Sequence, residues 1–167
     1  MTQTPEQHSI WLTELAFSKE SERLAHLEGP RRQEIVDEIS AARDEGDLKE
    51  NGGYHAAKEE QGRLEGEILQ LKEILKLAET TVPEDDGVVA PGKVVTYKFE
   101  GDSDDEAETF LLGARENEAY VDMDVYSPQA PLGAALLGAA AGTVVEFEGP
   151  NGRKNKVEVV SAVPYSA

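Results

Sequence analysis

From residue 57 onward, apolar and small positions recur with spacings of 4, 3, 4, 3, 4 and 3: Ala57, Gln61, Leu64, Ile68, Leu71, Leu75 and Ala78. That is a heptad seam, with Gln61 its one polar member, and it predicts a helix packed along one stripe. A helix of about 25 residues is roughly 40 Å long at 1.5 Å per residue. Upstream, Phe17, Leu24, Leu27, Ile35, Ile39 and Ala42 follow a helical face more loosely. Thr13 suits the N-cap of that earlier helix, because its hydroxyl can accept from the free N–H groups of the first turn. Gly29-Pro30 interrupts the stripe, so a kink or short break is expected there. Two helices, each with one apolar stripe and joined near Gly46 to Gly53, predict an antiparallel coiled-coil hairpin. Such a hairpin has little core of its own and suits reaching or docking.

After residue 88 the period changes from helical to alternating. The runs KVVTYKF, ETFLLGA, AYVDMDVY, TVVEFEG and KVEVVSAV place β-branched and aromatic residues at every second position, bounded by Gly, Asp or Asn. Pro150-Asn151-Gly152 is a hairpin-turn signal between the last two runs. SPQAPLGAALLGAAAG, between the third and fourth runs, can supply a short helix packed on the sheet. TTVPEDDG, with proline, acids and glycine, reads as a linker. The expected class is α+β: a coiled-coil hairpin domain over residues 1–83 and a small domain with an antiparallel sheet over residues 84–167.

Composition narrows the partners. The 167 residues carry 34 acids against 16 Lys and Arg, for a formal net charge of −18. The acidity is shared, with 18 acids and 10 bases up to Val82 and 16 and 6 after it. A broad grip on a nucleic-acid backbone rests on clustered Lys and Arg, so it is not expected here. Basic protein surfaces or metal ions fit better, and plain solubility accounts for the charge equally well. There is no cysteine, which removes disulfides, thiolate metal sites and a thiol nucleophile and suits a reducing cytosol. MTQTPEQHSI lacks a basic segment followed by an apolar run, so no signal peptide is expected. PLGAALLGAAAG is too short and too glycine-rich to span a bilayer. A cytoplasmic protein with no membrane partner is expected.

The stretch with chemical potential is the turn, GDLKENGGYHAAKEEQ. Gly46 can end the first helix with a positive φ. Asp47 and Glu50 are three residues apart, which puts two carboxylates on one side of a helical or turn-like segment. Such a pair can ligate Mg2+, which prefers oxygen ligands and keeps several waters, but two ligands alone hold it weakly. The same spacing fits a capping box, or acids simply solvated at an exposed tip. Tyr54 and His55 sit just beyond; a histidine near two acids suggests a metal or acid/base site, but on a helix it is more often a surface or packing residue, and His8 and His26 have no companions. No phosphate-cradling glycine loop, nucleophile elbow or two-histidine metal motif is present. Nothing resembles a self-contained active site.

EGDLKENGGYHAAKEEQ closely resembles the signature of the bacterial GreA-type transcript cleavage factors. WLT near the start, RRQEIVDEI before the tip, the heptad helix after it and VYSPQAPLGAALLG in the second half follow in that family's order and spacing. The resemblance implies that the coiled coil enters the secondary channel of RNA polymerase, while an FKBP-like C-terminal domain docks at the channel's rim. It implies that Asp47 and Glu50 match the two tip acids that help hold Mg2+ in the polymerase active centre and orient the attacking water. The polymerase then hydrolyses its own backtracked RNA, so the protein is an accessory factor and not itself the enzyme. Ser127 and Pro128 match the docking-loop motif. Arg31, Arg32, Arg43 and Lys49, with Lys58, are candidates for contact with the 3′ end of the nascent RNA, though most of them have glutamates nearby to pair with. A monomer is expected. The polymerase would supply the remaining carboxylates of a shared two-metal site, which removes the weakness of two tip ligands.

The sequence departs from the family pattern in three places. Gln33 stands where proline is common, which moves the expected bend upstream to Gly29-Pro30. Gly52-Gly53 replaces small or acidic residues at the tip, and the basic patch is thin. Three rival readings follow: a channel-binding regulator without cleavage, a coiled-coil adaptor or chaperone unrelated to transcription, and an independent Mg2+-dependent nuclease. The last is poor, because an exposed tip cannot exclude water around a transition state.

Overall fold

A computed structural model describes residues 9–167; His8 lies outside the described residues. The chain divides into two compact units, one formed by residues 17–77 and the other by the N-terminal residues to Ala16 together with residues 78–167.

The first unit is the helical hairpin. Helix α1 (Glu14–His26) begins behind Thr13, whose Oγ1 accepts the Ala16 N–H at 3.0 Å, the cap that the sequence predicts. A π-helical turn over Leu27–Arg31 leads without a break into α2 (Arg32–Asp44). The kink or short break expected at Gly29-Pro30 thus takes the form of a π turn within a continuous helical path. Pro30 has no N–H to donate, and its ring would crowd the carbonyl four residues back in a regular α turn; a wider π turn accommodates both. Helix α3 (Gly52–Leu77) supplies the opposing face. Leu27, Ile35 and Ile39 bury against Ala57, Leu64, Ile68 and Leu71, with Leu24, Tyr54 and Leu75 at the margin. All but Tyr54 are predicted stripe or seam residues; Phe17, the first of the upstream stripe, is exposed instead. Ala78 differs: α3 ends at Leu77, and Ala78 opens a strand. Ion pairs Glu28–Lys72 (3.2 Å) and Arg32–Glu65 (2.8 Å) join residues in reverse order along the two helices, which fixes the antiparallel sense.

The second unit is built on a five-stranded sheet of order β5-β4-β3-β7-β6. Its strands are β3 (Lys93–Phe99), β4 (Glu108–Leu112), β5 (Asp124–Tyr126), β6 (Val144–Glu148) and β7 (Lys154–Pro164). Four of the predicted runs are these strands. The fifth is largely a different structure: of AYVDMDVY only Asp124–Tyr126 is extended, and a 3-10 segment covers Arg115–Tyr120. That connection returns the chain to the other end of the sheet, so β5 runs parallel to β4 in an otherwise antiparallel sheet. Helix α4 (Pro131–Leu136) lies within the expected stretch. It buries Leu136 among Val95, Phe110, Val157 and Val159 on one face of the sheet. The Asn151-Gly152 turn closes the β6–β7 hairpin, with Gly152 at φ +76°.

The other face of the sheet is covered by a residue from the far end of the sequence. The short strand β1 (Ile10–Trp11) pairs in parallel with β2 (Ala78–Glu79). Trp11 then packs on Leu111 and Val125. Its Nε1–H donates to the Thr81 carbonyl at 2.9 Å. The buried Asn117 side chain donates to the Trp11 carbonyl (3.0 Å) and accepts the Thr13 N–H (2.9 Å). A Cβ on Gly92, which sits at φ +92°, would lie 2.7 Å from the indole, so only glycine fits beneath it. The packing division thus differs from the one read at residue 83. Residues 9–16 and the segment 78–83 belong with the sheet, because Trp11 is the apolar lid that the sheet's second face lacks. The linker is also tied down, by an ion pair between Asp86 and the buried Lys93, which donates as well to the Val88 carbonyl at 2.6 Å.

Candidate functional site

The tip turn occupies residues 45–51 between α2 and α3. α2 ends at Asp44, and Gly46 follows with φ +127°, a backbone region costly for any residue with a Cβ. Asp47 then accepts the Lys49 N–H through Oδ1 at 3.0 Å, an Asx turn. Asn51, not Asp47, caps α3: its Oδ1 accepts the Tyr54 N–H at 3.0 Å, while its amide Nδ2 donates to the Ala42 carbonyl at the end of α2. One side chain therefore bridges both helices at the base of the turn. The capping-box reading of Asp47 and Glu50 does not describe this turn, since both acids precede the cap. Sequence reasoning missed Asn51, although an asparagine directly before a helix start is itself an N-cap signal.

Glu45, Asp47 and Glu50 face one open hollow at the tip, with Asn51 and Gly52 at its edge. The two predicted acids therefore share a side. All the donors are oxygens, as a hard cation requires, and one Asp47 oxygen is already engaged by the backbone. No group of three or more acid or histidine side chains is gathered closely enough to hold a metal among the described residues. The donors are of the kind Mg2+ takes, but the described residues form no cage of their own for it.

The candidate RNA-contacting bases are unequal. Arg31 is held by Glu34 at 2.9 Å and reaches Glu60 at 3.5 Å; the hydrogen bond to Glu34 raises its pKa above the ordinary arginine value. Arg32 makes a two-pronged pair with Glu65, both bonds 2.8 Å. That bond raises the arginine's pKa and lowers the glutamate's. Both guanidiniums are thus committed within the hairpin. Arg43 stands over the Tyr54 ring at 5.8 Å, and Lys58 donates to Gln61 at 2.9 Å. Lys49, beside the acids, makes no ion pair among the described residues.

In the sheet unit, Ser127 and Pro128 lie in the loop between β5 and α4. Ser127 Oγ accepts the Gln129 N–H at 3.1 Å, and its carbonyl accepts the Ala130 N–H at 3.0 Å, which holds the loop in a tight turn. α4 packs so closely that a Cβ on Gly133 would come within 2.2 Å of the Ser127 carbonyl oxygen. The loop borders a cleft of about 420 Å3 lined also by Trp11, Pro91, Arg115 and Leu137. The sequence marked Ser127 and Pro128 but not these neighbours, which come from four separate segments. Among the described residues no helix is long and apolar enough to cross a membrane.

A family model described as "Transcription elongation factor, N-terminal" matches residues 10–80, and one described as "Transcription elongation factor, GreA/GreB, C-term" matches residues 84–164. The chain is 52% identical to the transcription elongation factor GreA of Streptomyces coelicolor, over 99% of both chains. It is 46% identical to the GreA of Mycolicibacterium smegmatis, over 93% of this chain and 94% of the other. Among solved structures, GreA factor homolog 1 of Thermus thermophilus aligns over 93% of this chain and 99% of its own, at 25% identity and a TM-score of 0.41.

Proposed function

The chain belongs to the GreA/GreB family of transcription elongation factors, and on that footing we propose that it stimulates RNA polymerase to cleave backtracked RNA. The hairpin enters the polymerase's secondary channel and carries Asp47 and Glu50 to the catalytic centre. The Ser127-Pro128 loop docks at the channel's rim. A Mg2+ held jointly by the tip acids and the polymerase's own carboxylates would polarise the scissile phosphate and lower the pKa of the attacking water. Asp47 and Glu50 supply the oxygens; the Asx turn holds Asp47 in place. Lys49, with Arg43 and Lys58, is a base left to meet the RNA 3′ end, since Arg31 and Arg32 are already paired. The protein acts as a cytoplasmic monomer.

The observation that carries this reading is the pair of acids sharing one side of a hydrogen-bonded turn at the end of a long, thin hairpin. A 26-residue helix reaches about 39 Å, and a structure with so little core is poorly suited to building a closed active site. The direct test adds the purified protein to a backtracked elongation complex from the same source, with Mg2+, and follows the RNA. Release of a short 3′ fragment and resumed extension are expected. Binding that blocks nucleotide addition without any fragment would instead mark a channel-occupying regulator, and absence of binding would leave the adaptor reading.

A further inference from the structure

The tip holds a set of polar contacts that the acids alone do not explain, and they converge on the backbone of Lys49, between the two acids. Asp47 Oδ1 accepts the Lys49 N–H at 3.0 Å, and the His55 imidazole sets Nε2 3.2 Å from the Lys49 carbonyl oxygen. A carbonyl can only accept, so Nε2 carries the proton in this contact. Lys49 is thereby held at both its N–H and its C=O. His55 is itself anchored, because its backbone N–H donates to the Asn51 carbonyl at 3.1 Å in the turn that Asn51 caps. Its ring lies edge-on to Tyr54, with centroids 5.6 Å apart. Leu48 is 40% exposed, and no residue of the turn belongs to either unit's apolar core. Hydrogen bonds rather than packing restrict these residues.

We propose that His55 is a positioning residue for the tip: its Nε2–H holds the Lys49 carbonyl and so fixes the separation and aim of Asp47 and Glu50. This rests on the reading of the two acids as metal-holding groups. Such groups act only when placed, and a displacement of about 1 Å lowers a rate by on the order of a hundredfold. Asp47 is fixed by its own bond to the Lys49 N–H; Glu50 follows directly from the carbonyl that His55 grips.

The test uses the full-length protein with His55→Gln, His55→Asn and His55→Ala. A glutamine amide can place an N–H where Nε2 stands, whereas the shorter asparagine cannot. Cleavage in a backtracked elongation complex is measured against factor concentration, and amide hydrogen exchange of Lys49 and Glu50 is measured in the free protein. Loss of one hydrogen bond predicts a maximal cleavage rate lowered about fivefold in His55→Asn and His55→Ala. The half-saturating concentration should be unchanged and tip exchange faster. His55→Gln should return both to within about twofold of wild type. An unchanged maximal rate in His55→Asn overturns the proposal. So does an effect confined to the half-saturating concentration, or a glutamine variant as impaired as alanine. A wild-type protein that binds the complex and yields no cleavage fails at the proposed function itself, and the wild-type arm shows that separately.

Discussion

At the scale of single residues, small steric and hydrogen-bonding facts decide where the functional groups stand. Gly133 is the sharpest case. The Ser127 carbonyl occupies the space where its Cβ would lie, at 2.2 Å, so Gly133→Ala must push α4 and the Ser127-Pro128 loop apart. Overpacking of this kind costs about 1–3 kcal/mol. A lowered melting temperature together with weaker binding to polymerase is expected, and an unchanged affinity would remove this loop from the docking surface. The sequence made Asp47, Glu50, Ser127 and Pro128 legible as a motif, but not the reason each is held in place. Asp47 as an Asx-turn acceptor, Asn51 as the bridge between helices and the contact of His55 with Lys49 all depend on a backbone path through seven turn residues. Periodicity carries no information about such a path. For Arg31 and Arg32 the sequence offered both RNA contact and pairing with nearby glutamates, and Glu34 and Glu65 engage them.

At the scale of elements, the heptad period determined α3 almost completely, because burial on one stripe is what selects that spacing. Ile68 is 2% exposed and central to the hairpin's cluster. Ile68→Ala should cost about 2–5 kcal/mol and loosen amide protection in α2 and α3 while leaving β3, β4 and β7 protected. Equal loss in the sheet would show that the two units unfold as one. Between the helices, Arg32 lowers the pKa of Glu65 chiefly by hydrogen bonding. A depressed carboxylate contributes stability above its unfolded value, about 4.3, and loses it as pH falls through the lowered folded value. Glu65→Gln should therefore lower the melting temperature near pH 7, and the difference from wild type should shrink as pH drops below about 4. At Pro30 the expected interruption of the α-helix takes the form of a π turn, which spares the ring the clash of an α turn. One run was misjudged for a physical reason. AYVDM alternates like a strand, but Ala119 and Tyr120 end a 3-10 segment and the next three residues form an irregular link, with Val121 and Met123 packing beside Trp11 on the sheet's second face.

At the scale of the whole molecule, the two cores are separate, and the boundary between them does not follow the boundary in composition. A composition shift sees the helical segment end near residue 80; it cannot see that the N-terminal strand completes the sheet unit. Trp11 is 8% exposed and covers Leu111 and Val125. Trp11→Ala should cost about 3–5 kcal/mol, read as faster hydrogen exchange in β4 and β5 with the α2–α3 seam protected. Uniform loss across the seam would contradict the assignment of Trp11 to the sheet's core. In the proposed function the labour is divided between a tip that supplies two carboxylates and a sheet unit that docks. The most direct measurement is the Mg2+ dependence of RNA cleavage in a backtracked polymerase complex, at saturating factor, for wild type and for Asp47→Asn/Glu50→Gln. The double variant is expected to bind polymerase as tightly as wild type, yet to cleave at least about a hundredfold more slowly at a Mg2+ concentration that saturates wild type. Equal rates and an identical Mg2+ dependence would show that the tip acids take no part in holding the metal.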